Sequence, residues 1–168
     1  MQVKREGRVV NLVGVLNEHV DLQAVETEII AATQAATAEN GEIILDLSKV
    51  QRANSSGLLQ WLRLTKRLKI PLCYSNAPVW LVEQFNMIDE FFDGQVNVDS
   101  IYAHFYCNET DSIESHLLKI GHDVPIQNQY KDFQFSVISK QGKTLEPDFD
   151  ERSYFHFIAK HLAKKMSP

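Results

Sequence analysis

The chain has little cysteine, no long apolar run and no excess of positive charge. Its two cysteines, Cys73 and Cys107, are too few for a zinc site, which takes about four ligands, so we expect reduced thiols, a cytoplasmic location and no metal. No apolar stretch approaches the roughly 20 residues of a membrane-spanning helix, and the charged start is unlike a signal peptide. The formal net charge of −5 gives no general reason to bind nucleic acid or an anionic membrane.

Sequence motifs of the common enzyme and cofactor classes are also missing. The chain has no Gly-x-Gly-x-x-Gly, no phosphate-binding loop and no nucleophile elbow, and its six histidines show no metal-ligand spacing such as His-Glu-x-x-His. A hydrophobic fraction of 44% and a charged fraction of 23% are typical of a globular protein. We therefore expect a folded binding protein that has no cofactor and is not an enzyme.

The spacing of apolar residues predicts alternating strands and helices in the first half of the chain. Helices are expected after Asp21, after Asn54 and from Pro78 to Phe85. Strands separated by helices favour a largely parallel sheet, and two adjacent strands at the start make that sheet mixed. The fold class is therefore α/β, with helices packed against a mixed, mostly parallel sheet. The predicted strands are Gln2–Arg5, Arg8–Val15, Glu42–Leu47 and Leu72–Ser75.

The pattern changes near residue 93. Val96–Tyr106 alternates in a strand-like way, a second apolar run covers Phe133–Ile138, a turn is expected at Gln141–Lys143, and Asp148 or Asp150 is placed to cap a last helix through Leu162. We divide the chain into residues 1–99 and a small α+β extension, residues 100–168, that is rich in strands and ends in a helix. Because the extension is small and rich in large apolar side chains, we expect it to dock on the first domain.

The most informative segment begins at Ile43, in the predicted buried strand, and runs through a loop to a polar cluster at Asn54, Ser55 and Ser56. Asparagine or serine at a helix start satisfies the free N–H groups of the first turn. The same helix end carries a partial positive charge. A phosphate on a serine there is electrostatically tolerated and adds nearly two negative charges to the surface.

Two stretches, Leu45–Ser48 and Asn54–Leu58, with Val50 between them, resemble the signature of STAS domains in bacterial anti-sigma factor antagonists. The order of predicted strands and helices over residues 2–92 is similar to that family as well. The resemblance implies a regulatory protein-binding module. In the family, the serine that follows an aspartate is phosphorylated by a partner kinase that is also an anti-sigma factor. Phosphorylation breaks the complex, and dephosphorylation restores it.

By position, the resemblance assigns phosphorylation to Ser55, with Ser56 second. This chain has Asn54 where the family has aspartate, so a carboxylate that orients or activates the hydroxyl is missing, and both serines could instead serve only as helix caps. Three basic residues farther along the same helix form either a solvated face or a surface for an acidic partner. The predicted switch loop and partner surface comprise Asn54, Ser55, Ser56, Gly57, Arg63, Lys66 and Arg67.

The extension weakly resembles a zinc-ribbon tail that has lost its metal. Thr110 stands where a second cysteine would accompany Cys107, and residues 136–142 contain no cysteine. We therefore expect a ribbon-like β unit without zinc.

Three functions remain open at this stage. The first is an anti-sigma factor antagonist in a partner-switching pathway, acting on transcription regulation through a serine kinase, an anti-sigma factor or a phosphatase. The second is a STAS scaffold that binds a protein without being phosphorylated. The third is a sensor whose small-molecule ligand lies between the sheet and the extension. Exposed sheet edges are compatible with a homodimer.

Overall fold

Five strands from the first half of the chain form a mixed sheet in the order β1-β2-β3-β4-β5. β1 and β2 are antiparallel, and the remaining pairs are parallel, as the sequence predicts for this α/β fold. The computed structural model describes residues 1–39, 41–93, 95–130, 133, 137–139 and 142–162. The strands are β1 (Gln2–Glu6), β2 (Val9–Leu16), β3 (Ile43–Ala53), β4 (Leu72–Ser75) and β5 (Val96–Val98).

Three helices connect these strands, and each begins at a residue that suits a helix start. The Asp21 side chain accepts a hydrogen bond from the N–H of Ala24 at 3.0 Å. Pro78 occupies the capping position before the third helix, just ahead of the first turn where it was predicted. A short 3₁₀ helix, Asp89–Phe92, follows. The helices are α1 (Leu22–Ala38), α2 (Ser55–Leu68) and α3 (Val79–Met87).

A second, antiparallel sheet follows, in the order β7-β6-β9-β8. The strand-like stretch Val96–Tyr106 is confirmed as strand, and it is divided into two strands because the chain passes from the first sheet to the second at Asp99. Only part of the strand predicted over Phe133–Ile138 can be compared, since residues 134–136 and Gln141 of the predicted turn lie outside the described residues. The strands are β6 (Ser100–Cys107), β7 (Ser112–Lys119), β8 (Val137–Ile138) and β9 (Thr144–Pro147).

The predicted last helix is interrupted. Asp150 caps α4 (Glu151–Tyr154), and a π-helical turn, Ile158–Leu162, comes after a break. Asn86 of α3 explains the break: its amide nitrogen donates to the carbonyl of Tyr154 at 3.0 Å, and its amide oxygen accepts from the N–H of Phe157 at 2.8 Å. A continuous helix would use these two backbone groups internally.

The second sheet joins the first part of the chain through α3 and the residues before it. Ala77 and Ile101 form an isolated parallel bridge, in which the N–H of Tyr102 donates to the Ala77 carbonyl at 2.8 Å. Phe157 stacks against Phe92 and also contacts Phe85, with ring centroids 5.9 and 5.6 Å apart. These contacts place the two sheets on one continuous hydrophobic core.

Within the described part of the chain, no helix has the length and apolar character needed to span a membrane.

Candidate functional site at the start of helix α2

Helix α2 begins where the sequence predicts, and Asn54 is its cap. Asn54 is in an extended conformation, and its side-chain oxygen accepts a hydrogen bond from the N–H of Gly57 at 2.8 Å. Its own N–H donates to the carbonyl of Leu16 at the end of β2, at 3.1 Å. Ser55 and Ser56 therefore occupy the first two helical positions, and both are exposed. The free N–H groups of this helix end provide a favourable setting for an anion.

Gly57 lets the helix approach the end of β2. A Cβ atom at this position would lie 2.3 Å from the carbonyl oxygen of Leu16 and 2.7 Å from the backbone nitrogen of Asn17. These contacts are with backbone, which cannot rotate away as a side chain could. Gly57 thus fixes the distance between the first turn of α2 and the loop that follows β2.

Glu18, in that loop, is a site residue that the sequence reasoning missed. The side-chain nitrogen of Asn54 donates to the Glu18 carboxylate at 2.6 Å, and this hydrogen bond lowers the pKa of Glu18. A carboxylate therefore lies against residue 54 although residue 54 itself is an asparagine. One signal was present in the sequence: the carboxyl ends of the parallel strands β2 and β3 lie at the same edge of the sheet, which brings their following loops together.

The predicted basic residues lie farther along α2, and the structure separates them from the serines. Ser55, Leu59 and Arg63 are spaced four apart and share one face, on which Leu59 is 49% exposed. Lys66 and Arg67 lie in the last turn, roughly 17 Å along the helix axis from Ser55.

Acidic neighbours already pair with two of these cations. Lys66 contacts Asp93 at 3.0 Å, and Arg67 contacts Glu26 of α1. Arg63 forms no ion pair with a described residue; it lines a shallow groove between α1 and α2 together with Gln23 and Gln60. The contacts of Lys66 and Arg67 fit a solvated face, whereas Arg63 remains available to a partner.

Behind the exposed face, α2 is anchored in the core. Trp61 is 4% exposed, and its indole N–H donates to the hydroxyl of Tyr74 at 3.0 Å. Tyr74 in turn stacks on Phe85 of α3, and its burial raises the pKa of its phenol. The start of α2 is thus presented on a helix whose opposite side is held by a buried aromatic cluster.

Cys107 and Thr110 lie close together at the turn between β6 and β7. The Thr110 hydroxyl donates a hydrogen bond that lowers the pKa of the Cys107 thiol. Glu109, in the same turn, forms an ion pair with Lys143 at 2.9 Å. Among the described residues, no group of three or more His, Cys, Asp or Glu side chains is arranged to hold a metal ion.

Comparison of the chain with protein-family models, with curated proteins and with solved structures found no match.

Proposed function

We propose that the chain is a regulatory protein-binding module that resembles a STAS domain and is switched by phosphorylation of Ser55. The observation that carries the proposal is the exposed hydroxyl of Ser55 at the first position of a helix whose start is capped by Asn54. A partner kinase can reach this hydroxyl without unfolding the helix. A phosphate there gains from the helix N-terminus.

Glu18 determines what that phosphate would do to the surface. Its carboxylate already contacts the residue before Ser55. A phosphoserine would therefore add its charge beside an existing negative charge, and a partner surface that fits the neutral helix start would face a concentrated anion. Burial of such a charge against a partner, without a matching cation, is strongly unfavourable.

The geometry favours a protein partner over a small-molecule ligand. The face of α2 that carries Ser55, Leu59 and Arg63 is exposed and combines an apolar side chain with a cation. A sensor would hold its ligand between the sheet and the extension; where α3 meets the extension, Phe85, Phe92 and Phe157 pack against one another.

The test compares Ser55→Asp with Ser55→Ala in binding to a serine kinase of the anti-sigma factor type, measured by calorimetry. We expect Ser55→Ala to bind like the parent chain and Ser55→Asp to bind at least about tenfold more weakly, because its carboxylate is buried unpaired at the contact. Thr27→Asp, which places the same charge on an exposed position of α1, is the matched control. Equal affinity of the two Ser55 variants would contradict a charge switch.

Intact-mass spectrometry after incubation with the same kinase and ATP tests the modification itself. We expect one added phosphate on the parent chain and on Ser56→Ala, and none on Ser55→Ala. Phosphate on Ser55→Ala would assign the modification elsewhere. A parent chain that binds the kinase but acquires no phosphate during incubation with ATP would instead support the scaffold function.

A further inference from the structure

Strand β7 is an edge of the second sheet whose last residue is already bonded by the following turn: the Lys119 N–H donates to the Asp123 carboxylate at 2.7 Å, and the Lys119 carbonyl accepts from the Asp123 N–H at 2.8 Å. All eight of its residues pair in continuous register with β6, and it is the last strand on its side of the sheet among the described residues. Ile113 is 59% exposed and Leu117 is 40% exposed, and both lie on the same face. On β6 they stand opposite Tyr106 and Tyr102, so the outer face of this strand pair carries an apolar and aromatic stripe.

One edge of the first sheet differs from β7 in the charge it carries. The edge strand β1 carries Lys4, Arg5 and Glu6, all exposed, and such charges discourage pairing with another chain. β7 has a single basic residue, Lys119, at its last position, and contains neither proline nor a bulge. Edge strands β1 and β7 are thus protected to different degrees against pairing with another chain.

We propose that β7 pairs antiparallel with β7 of a second copy of this chain, about a two-fold axis through Ser115. Side chains alternate between the two faces of a strand, and a two-fold axis perpendicular to the sheet keeps each face continuous. A symmetric pair must therefore be centred on a residue. The central candidates are Glu114, Ser115 and His116.

Charge and apolar matching select Ser115 among these three. In that register Ile113 faces Leu117 of the second copy and Glu114 faces His116. Asp111, in the turn just before the strand, comes near Lys119 of the second copy at each end of the junction. Centring on Glu114 would oppose this carboxylate to its own copy, and centring on His116 would place Ile113 against Lys119. Cross-strand pairs of opposite charge, or of two apolar side chains, stabilise a sheet, whereas two like charges directly opposite each other destabilise it.

Glu114 and His116 add an interaction inside each chain. The His116 ring nitrogen lies 3.1 Å from the Glu114 carboxylate on the face turned toward the core. The two-fold axis would bring both pairs together, so that imidazoles and carboxylates alternate across the junction. The dimer would join two four-stranded sheets into one of eight strands. One strand pair buries a modest area, so we expect a dissociation constant in the micromolar range.

The test is a charge exchange in the full chain. Lys119→Glu opposes two carboxylates at each end of the junction, and Asp111→Lys opposes two cations. We expect each variant alone to dimerise about tenfold more weakly than the parent chain, because both exposed pairs change from attraction to repulsion. In an equimolar mixture the unlike charges meet again, so we expect a heterodimer of near-parent affinity, measured by sedimentation equilibrium with one variant isotopically or fluorescently labelled.

Two further variants keep the test decisive. Leu117→Lys places a charge opposite Ile113 and should abolish the dimer, whereas Lys4→Glu, a charge reversal on the edge of the first sheet, should leave it unchanged. A parent chain that stays monomeric at several hundred micromolar would overturn the proposal. So would a dimer that is indifferent to Lys119→Glu and Leu117→Lys.

Discussion

At the scale of single residues, the start of α2 depends on three residues with separate roles. Asn54 supplies the cap, Gly57 permits the close approach to β2, and Glu18 holds the amide of Asn54 from the neighbouring loop. Ser55 and Ser56 are exposed, and their hydroxyls take part in none of these three contacts. The serines can therefore be changed or modified without disturbing the contacts that position the helix.

Gly57→Ala should destabilise the fold, since the new Cβ would lie 2.3 Å from the Leu16 carbonyl oxygen and the backbone of α2 or β2 must shift. We expect a loss of about 1–3 kcal/mol in the free energy of unfolding, measured by urea denaturation, which is the usual cost of overpacking. Ser56→Ala also introduces an alanine, one residue earlier and at an exposed site, and should change the free energy of unfolding by less than about 0.5 kcal/mol. Similar stability of the two variants would show that the approach of α2 to β2 is not tight.

At the scale of elements, strand β4 is completely buried. All four of its residues are buried, between β3 and β5. Burial, with smaller effects from Asp99 and Glu42, raises the pKa of the Cys73 thiol from its ordinary value of 9.0 to about 12. The neutral thiol is thus strongly favoured in the folded chain.

This shift predicts a loss of stability at alkaline pH. Unfolding returns Cys73 to its ordinary pKa, so its contribution is fully present below pH 9 and is lost as the pH rises from 9 toward about 12. Cys73→Ala should therefore show a shallower fall in unfolding free energy between pH 8 and pH 11 than the parent chain, by urea denaturation at each pH. Cys107→Ala is the control, because the pKa of that thiol is lowered and its removal should not flatten the profile. Parallel profiles for Cys73→Ala and the parent chain would contradict the prediction.

Local patterns predicted the elements well where neighbours along the chain decide them. Strand β4 and the cap of α2 lie where apolar spacing and capping chemistry place them. The differences arise from distant contacts. Side-chain alternation continues on both sides of Asp99, so it could not show that the chain changes sheets there. The last helix breaks because Asn86, far away in sequence, takes two of its backbone groups.

The candidate site divides in the same way. Asn54, Ser55 and Gly57 were predicted from the segment itself, because a strand followed by a polar helix start is a local signal. Glu18 was not, since it lies 36 residues away and its contact depends on the parallel pairing of β2 with β3. The ion pairs of Lys66 with Asp93 and of Arg67 with Glu26 could not be predicted either, because they depend on how α1 and the end of the 3₁₀ helix pack beside α2.

At the scale of the whole molecule, α3 links the two sheets. Its Asn86 fixes the end of α4, its Phe85 contacts Phe157, and Asp89 in the 3₁₀ helix that follows pairs with Lys160. The ion pair lies at the surface and contributes little, whereas the aromatic contacts and the two amide hydrogen bonds are largely shielded from water. The join is therefore held chiefly by apolar burial.

Truncation after Asp99 tests that join as a whole. It removes Ile101 and Phe157, both 0% exposed, and so uncovers Phe85 and Phe92, which are 0% and 6% exposed in the full chain. It also leaves both polar atoms of the Asn86 amide without their partners.

Each uncovered aromatic side chain loses roughly 1.5–3 kcal/mol of burial when fully exposed, and a domain of this size loses about 4–8 °C in Tm for each kcal/mol. We therefore expect a Tm at least about 5 °C below that of the full chain, with lower solubility, by differential scanning calorimetry and light scattering. Asp89→Asn in the full chain, which removes the surface ion pair with Lys160 and the longer 3.4 Å contact with His161 but no aromatic contact, should leave the Tm within about 2 °C. A fragment of residues 1–99 that is monomeric, soluble and as heat-stable as the full chain would show that the extension is an independent unit, and that the aromatic contacts of α3 contribute nothing to the stability of the first domain.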